Sequence, residues 1–253
     1  MAAAVNPIEQ FEIHELFPVI KIAEHQIALT DSAIFMLIAV ALTAALMLGA
    51  TAGRRLVPTR MQSLAEVLYE FVADMIRSSA GEQGLKFFPL VFSLFMFVLI
   101  TNLVGLVPLS FSVTSQIIVT ASLALLVFFT VIIHGFWLHG LHFLKLFAPS
   151  GVPIFILPMI VLIEILSFLA RPLSHSLRLF ANILAGHITL NVVGSFAAMM
   201  IGALGVVGWF AATLPLALTV ALYALELLVA LLQAYVFAIL TCIYLNDSLH
   251  PGH

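Results

Sequence analysis

Charge is what this sequence has least of: 8% of its 253 residues are Asp, Glu, Lys or Arg, while 63% are hydrophobic. With a mean hydropathy of +1.22, that balance excludes a soluble globular domain, in which about a quarter of residues are charged. It implies an all-α, polytopic membrane protein in contact with lipid. A single cysteine, Cys242, excludes an intrachain disulfide and a thiolate metal site. Lys and Arg total 9 against 12 Asp and Glu, a net charge of -3, and no basic tract offers a surface for nucleic acid. A basic start is missing too: the N-terminal stretch carries Glu9, Glu12 and Glu15, the wrong pattern for a cleavable signal peptide.

What remains is a series of long apolar runs broken by few charges. Residues 1–30, polar and acidic with breaks expected at Pro7 and Pro18, read as an extramembrane arm, and 31–253 as a single membrane domain. Membrane helices are expected at about 32–50, 87–108, 114–133, 153–201 and 209–245, which makes about five crossings. Between 61 and 79, Leu64, Val67, Leu68, Phe71, Met75 and Ile76 lie opposite Glu66, Glu70, Asp74 and Arg77, the pattern of a helix in the interface. Ser63 with Glu66 is its expected capping box, and Gly81 and Gly84 its stop. The residues from 134 to 152, with His134, His139, His142, Lys145 and the APSGVP bend, read as a loop. Gly202, Gly205 and Gly208 mark a hairpin between the last two helices, each longer than the roughly 20 residues a perpendicular span needs, so at least one is strongly tilted or broken. Arg54, Arg55, Arg60, Arg77, Lys86 and Lys145 fall in the 51–86 and 134–152 connections and only Lys21 on the other side, which orients the arm outside and the C-terminus inside.

Against that background the run RPLSHSLRLFANILAGHI, Arg171 to Ile188, stands out for two arginines and two histidines at membrane depth. An arginine at the centre of a membrane helix costs roughly 2.5 to 3.5 kcal/mol unless it faces protein, water or a counter-charge. Arg171, beside Pro172, can snorkel to a headgroup, but Arg178 is followed by too much uncharged sequence to do so. Glu164, Arg171 and Arg178 recur every seven residues and so share one helical face, drifting only about 40° from first to last. Asn182 extends that face, and Ala181, Ala185 and Gly186 let another surface approach it. On the other arm of the hairpin Glu226 and Gln233 are likewise seven apart, flanked by Tyr223 and Tyr235. With a turn near Gly205, His187 and Glu226 fall at comparable depth. An imidazole and a carboxylate placed so can hand a proton on, or simply satisfy each other within the packing. A guanidinium does not deprotonate in a protein, so Arg178 can attract a carboxylate but cannot relay a proton.

These residues resemble subunit a of the F-type ATP synthase membrane sector. The likeness rests on RPLSHSLRLFANILAGHI, on Glu226 with Gln233 and on the TNLVGLVP segment, and it is strongest from Glu164 to Leu245. What the resemblance implies is a subunit that is not itself an enzyme and needs no cofactor, set in a bacterial inner membrane. It implies two offset aqueous half-channels that load and unload protons on the carboxylates of a rotating subunit c ring. Peripheral-stalk subunit b and the other ATP synthase subunits would be its further partners. Arg178 would face the ring and block a direct leak; Asn182, His187, Glu226 and Gln233 would belong to the outer half-channel, and Glu164, with Ser174 and His175, would border the inner one. One common bacterial pattern has the acid at 187 and the histidine at 226; here they are exchanged, as in mitochondrial-type sequences.

Two other classes remain to be weighed. His134, His139 and His142 suggest a membrane metalloenzyme, but such enzymes need several histidine clusters and this one stands alone. A secondary transporter often shows an internal repeat, and none is visible.

Overall fold

A computed structural model of the protein describes residues 15–22, 25–52, 57–107, 110–147, 153 and 155–249. The chain opens with an antiparallel hairpin, β1 (Glu15–Ile22) and β2 (His25–Thr30), and continues as six helices: α1 (Asp31–Ala52), α2 (Arg60–Gly84), α3 (Phe88–Gly105), α4 (Ile117–His139), α5 (Leu157–Leu204) and α6 (Val206–Leu249). Five helical stretches are long and apolar enough to cross a membrane.

The hairpin corrects the expected break at Pro18, which lies within β1 opposite Ala28, beside a register irregularity. A two-stranded ribbon has free edges and tolerates irregularities, and those are the places where a proline does not interrupt a ladder. Pro7 lies outside the described residues, as do Arg54, Arg55 and Pro108.

α2 starts one residue before the interfacial helix expected at 61–79 and runs five beyond it. Its cap is Thr59, whose hydroxyl accepts from the Gln62 amide, and not Ser63; Glu66 instead accepts from the Gln62 side chain. Gly81, at φ 66, kinks the helix without ending it, and Gly84 closes it. The buried face is also rotated from the expected one: Val72, Ala73, Met75, Ile76 and Ala80 pack inward, while Leu64, Val67 and Phe71 stay exposed. A helix lodged between lipid and protein has two apolar sides, so periodicity alone does not say which one meets the protein.

α4 likewise overruns its expected end, because Phe136, Trp137 and Leu138 prolong the apolar run and Gly140, at φ 55, is the first residue suited to stop it. His134 and His139 therefore lie on a helix, and His142 in the 3-10 segment Gly140–Phe147. That segment folds back so that the Phe143 ring occupies the space a side chain at Gly135 would need.

α6 is the centre of the bundle and packs on α2, α3, α4 and α5. Its Ala230, Ala234, Ala238 and Cys242 recur every fourth residue and are all essentially inaccessible. In lipid there is little hydrophobic drive to join helices, so such a ridge stabilises the bundle by close van der Waals approach. Val72, Val91, Phe95, Val98, Val127, Leu179 and Phe237 complete the core around it. The α5–α6 hairpin turns at Gly205, φ 56, and closes so tightly that a Cβ on Gly208 would strike the Met200 carbonyl. At 48 and 44 residues the two arms would be about 72 and 66 Å long if straight, more than twice the hydrocarbon thickness, which requires a strong tilt.

Candidate functional site

The α5–α6 hairpin brings together most of the polar residues in the apolar C-terminal half. The Glu226 carboxylate lies directly against the backbone of Gly186, next to His187. Further from the turn, the His175 ring lies on the Phe237 ring at 3.9 Å. Eleven residues separate Gly186 from His175 and eleven separate Glu226 from Phe237, so one antiparallel register runs through both contacts. That register puts Asn182 level with Ala230, and Arg178 level with Gln233 and Ala234.

The side chains at these levels face different ways. Arg178, Asn182 and Ser174 are exposed, with Leu173, Leu177, Ala181 and Ala185 around them. Arg178 makes no ion pair with any described residue. A guanidinium thus stands on an open face of a helix long and apolar enough to cross a membrane, with Ser174 and Asn182 one turn to either side. Glu226 is half-buried, but both its carboxylate oxygens are inaccessible and without a hydrogen-bond partner among the described residues. His187 and Glu164 are half-buried, and Gln233 is buried beside the alanine ridge. His175 points into the bundle, 3% exposed, and is not on the open face with its neighbour Ser174. Of the three residues spaced by seven, only Arg178 is exposed.

Arg171 belongs to a different structure. Its Nη1 donates to Asp247 at 2.5 Å, and its guanidinium lies 5.1 Å from both the Phe168 and the Tyr244 ring centres. His139 Nε2 lies 3.0 Å from the Leu249 carbonyl, and His134 Nδ1 3.4 Å from the Ser248 hydroxyl. The histidines and Arg171 hold down the end of α6; among the described residues no group of three metal-ligating side chains is assembled.

A buried polar cluster escaped the reading of the sequence. Asn102 of α3 accepts from the Thr114 hydroxyl at 2.8 Å and reaches the Ala230 carbonyl of α6 at 3.4 Å. Thr101, Ser112, Ser115 and Thr120 are buried with it, and Gly105 leaves the room that lets Ser112 approach. The cluster ends one helical turn from Glu226. Its signal in the sequence is TNLVGLVP followed by SFSVTSQ, hydroxyl and amide residues that together look only like the end of a span.

The family profile described as "ATP synthase A chain" matches residues 33–246, nearly the whole chain and all of the hairpin site. This chain belongs to that family. It is 65% identical over 250 residues to "ATP synthase subunit a" of Rhodopseudomonas palustris (strain TIE-1), covering 99% of this chain and 100% of that protein. The protein of the same name from Nitrobacter winogradskyi is 63% identical over 249 residues, 98% of this chain and 100% of its own. That of Afipia carboxidovorans is 63% identical over 248 residues, 98% and 99% of the two chains. The family match spans both features that the geometry singles out, the exposed charge of Arg178 on α5 and the Glu226 carboxylate within the bundle.

Proposed function

We propose that the chain is the proton-channel stator of a rotary F-type ATP synthase, non-catalytic in itself, multi-pass in a bacterial inner membrane with its N-terminus outside and its C-terminus in the cytoplasm. One observation carries the reading: Arg178 stands exposed on α5, with no ion pair among the described residues. In lipid such a charge is costly, so a partner must supply the opposite charge, and a carboxylate on a neighbouring helix of the subunit c ring does. Small residues at 181 and 185 let that helix come close. Because the guanidinium stays charged, it draws the ring carboxylate into its ionised form as it arrives, and a fixed positive charge also repels protons from crossing directly between the half-channels.

On the outer side the route runs through the α3–α4 connection. The Asn102 and Thr114 cluster leads to α6 at Ala230, one turn from Glu226, which with His187 passes protons toward Asn182 and the ring; Gln233 lies level with Arg178. On the inner side Glu164 and the exposed Ser174 border the other half-channel, with His175 behind them in the bundle. Residues 1–30 form the extramembrane arm. Peripheral-stalk subunit b holds the membrane domain, 31–253, against rotation.

The test is Arg178→Ala in the intact complex. Assembly is expected to be kept, since an exposed side chain with no ion pair among the described residues contributes little to the fold, while ATP synthesis driven by a proton gradient is lost. Arg178→Lys should fail nearly as badly, because an ammonium lacks the planar fork and can give up its proton when desolvated. Normal proton-driven synthesis in Arg178→Ala would overturn the proposal.

A further inference from the structure

The 3-10 helix Gly140–Phe147 is 8 residues long, where such helices usually stop after roughly three or four. At about three residues per turn its side chains fall on three edges. One edge faces the protein: the Phe143 ring is buried against Gly135, 5.2 Å from the Phe136 ring, and Leu146 packs on the core. A second edge carries Leu141 and Leu144, both exposed. The third carries His142 and Lys145, exposed as well. Phe147 ends the segment in an edge-on contact with the Phe168 ring of α5, at 5.3 Å. Held by Phe143 and Phe147, the segment therefore presents an apolar and a basic edge side by side.

The apolar edge continues a stripe on α4, where Phe129, Ile133 and Trp137 recur every fourth residue and are exposed. Trp137, 87% exposed, lies in the last turn of a helix long and apolar enough to cross a membrane. Tryptophan at the end of a span belongs at the boundary between acyl chains and headgroups, which sets the level of the whole segment. Its charge is of one sign: the chain has no Asp or Glu between Glu82 and Glu164, and Lys145 forms no ion pair among the described residues. Asp247, near the end of α6, is already held by Arg171. An ammonium beside an apolar edge at this level matches a lipid whose phosphate meets the charge while its chain covers the leucines. A zwitterionic lipid brings its own cation, so a net negative headgroup fits better. We propose that Trp137, Leu141, Leu144, His142 and Lys145 form a binding site for an anionic phospholipid, with an acyl chain along Trp137, Leu141 and Leu144 and the phosphate on Lys145 and His142. Nothing in this depends on whether Arg178 gates protons.

The chain has 2 tryptophans, so Trp209→Phe leaves Trp137 as its single fluorophore. The test reconstitutes this full chain in phosphatidylcholine vesicles containing a small, equal fraction of either phosphatidylglycerol or phosphatidylcholine brominated on the acyl chains. Brominated phosphatidylglycerol should quench Trp137 more strongly, by an amount that corresponds to roughly fivefold preference for the anionic lipid. Lys145→Gln combined with His142→Gln should bring that ratio close to one and leave quenching by brominated phosphatidylcholine unchanged, because the apolar edge is intact. Equal quenching by the two lipids before these substitutions, a preference that survives them, or no quenching by either lipid would overturn the site. In the intact complex, a photoreactive benzoylphenylalanine in place of Leu141 should attach to phospholipid. Attachment to another subunit instead would show that protein covers this face and would equally overturn the proposal.

Discussion

The Glu226 carboxylate and the Gly186 backbone touch across the α5–α6 hairpin so closely that a Cβ at 186 would overlap Oε1. What a side chain at 186 would disturb is therefore this neighbour and not the local backbone, whose φ is not positive. Gly186→Ala must push the carboxylate aside. A misplacement of about 1 Å in a proton-transfer group can cost between 10- and 100-fold in rate, and a loss in that range is expected in passive proton conductance of membranes stripped of the catalytic head. Gly194→Ala is the control: a Cβ there meets nothing within 4 Å, and conductance should be unchanged. Equal behaviour of the two variants would mean that Glu226 is free to move without consequence.

Arg171 and Asp247 are both shielded, with side chains 21% and 26% exposed, and they join the start of the polar α5 segment to the end of α6. Removing one partner leaves the other charge half-buried and unpaired, so Asp247→Asn should cost about 1 to 3 kcal/mol of stability, less than a fully buried pair would. Arg171→Gln should cost a similar amount, and the double variant much less than the sum. The measurement is thermal unfolding of the purified subunit in detergent, analysed as a double-mutant cycle. Simple additivity would show that the pair contributes nothing as a pair.

How far the sequence carried this picture follows from which contacts are local. Three glycines in a run of apolar residues announced the hairpin, and the turn lies at Gly205, within that run. Arg178 was legible because a charge in an uncharged stretch needs no partner to be noticed. The Arg171–Asp247 pair, 76 residues apart, and the Asn102 bridge to Ala230, 128 apart, leave no trace in periodicity. Thr59 displaced Ser63 as the cap for a subtler reason: both hydroxyls offer the same bond, and which one takes it depends on where the chain turns into the helix. Seven-residue spacing put Arg171 and Arg178 on one face, yet what surrounds each is decided by how α6 crosses α5, which spacing alone does not contain.

The orientation can be checked through the cysteine content. Cys242 is buried in the α6 ridge, so it should not react with an impermeant maleimide in the folded protein and need not be removed. In sealed, right-side-out vesicles a cysteine introduced in residues 1–14 should label, and one introduced in residues 250–253 only after the membrane is opened. The reverse pattern would invert the arrangement of the half-channels.

His187 and Glu226 offer the sharpest test of the outer route. Glu226 lies against the residue next to His187, yet its two oxygens have no hydrogen-bond partner among the described residues, so the carboxylate is held by packing and is available to a mobile proton. His187→Glu would set two carboxylates at one level, which repel when both are ionised; Glu226→His would set two imidazoles there, which repel when both are protonated. Each single change therefore penalises one of the states a relay must pass through, and each should lower passive proton conductance by roughly 10- to 100-fold. The double exchange restores one acid and one base in the same space and reproduces the arrangement in which the acid stands at 187. If composition matters more than order, conductance should return to within about fivefold of wild type, with a coupling of at least about 1.4 kcal/mol in the cycle. A double variant as impaired as the two singles combined would show that the residues act independently, and that protons reach the ring by a route in which the two arms of the hairpin do not cooperate.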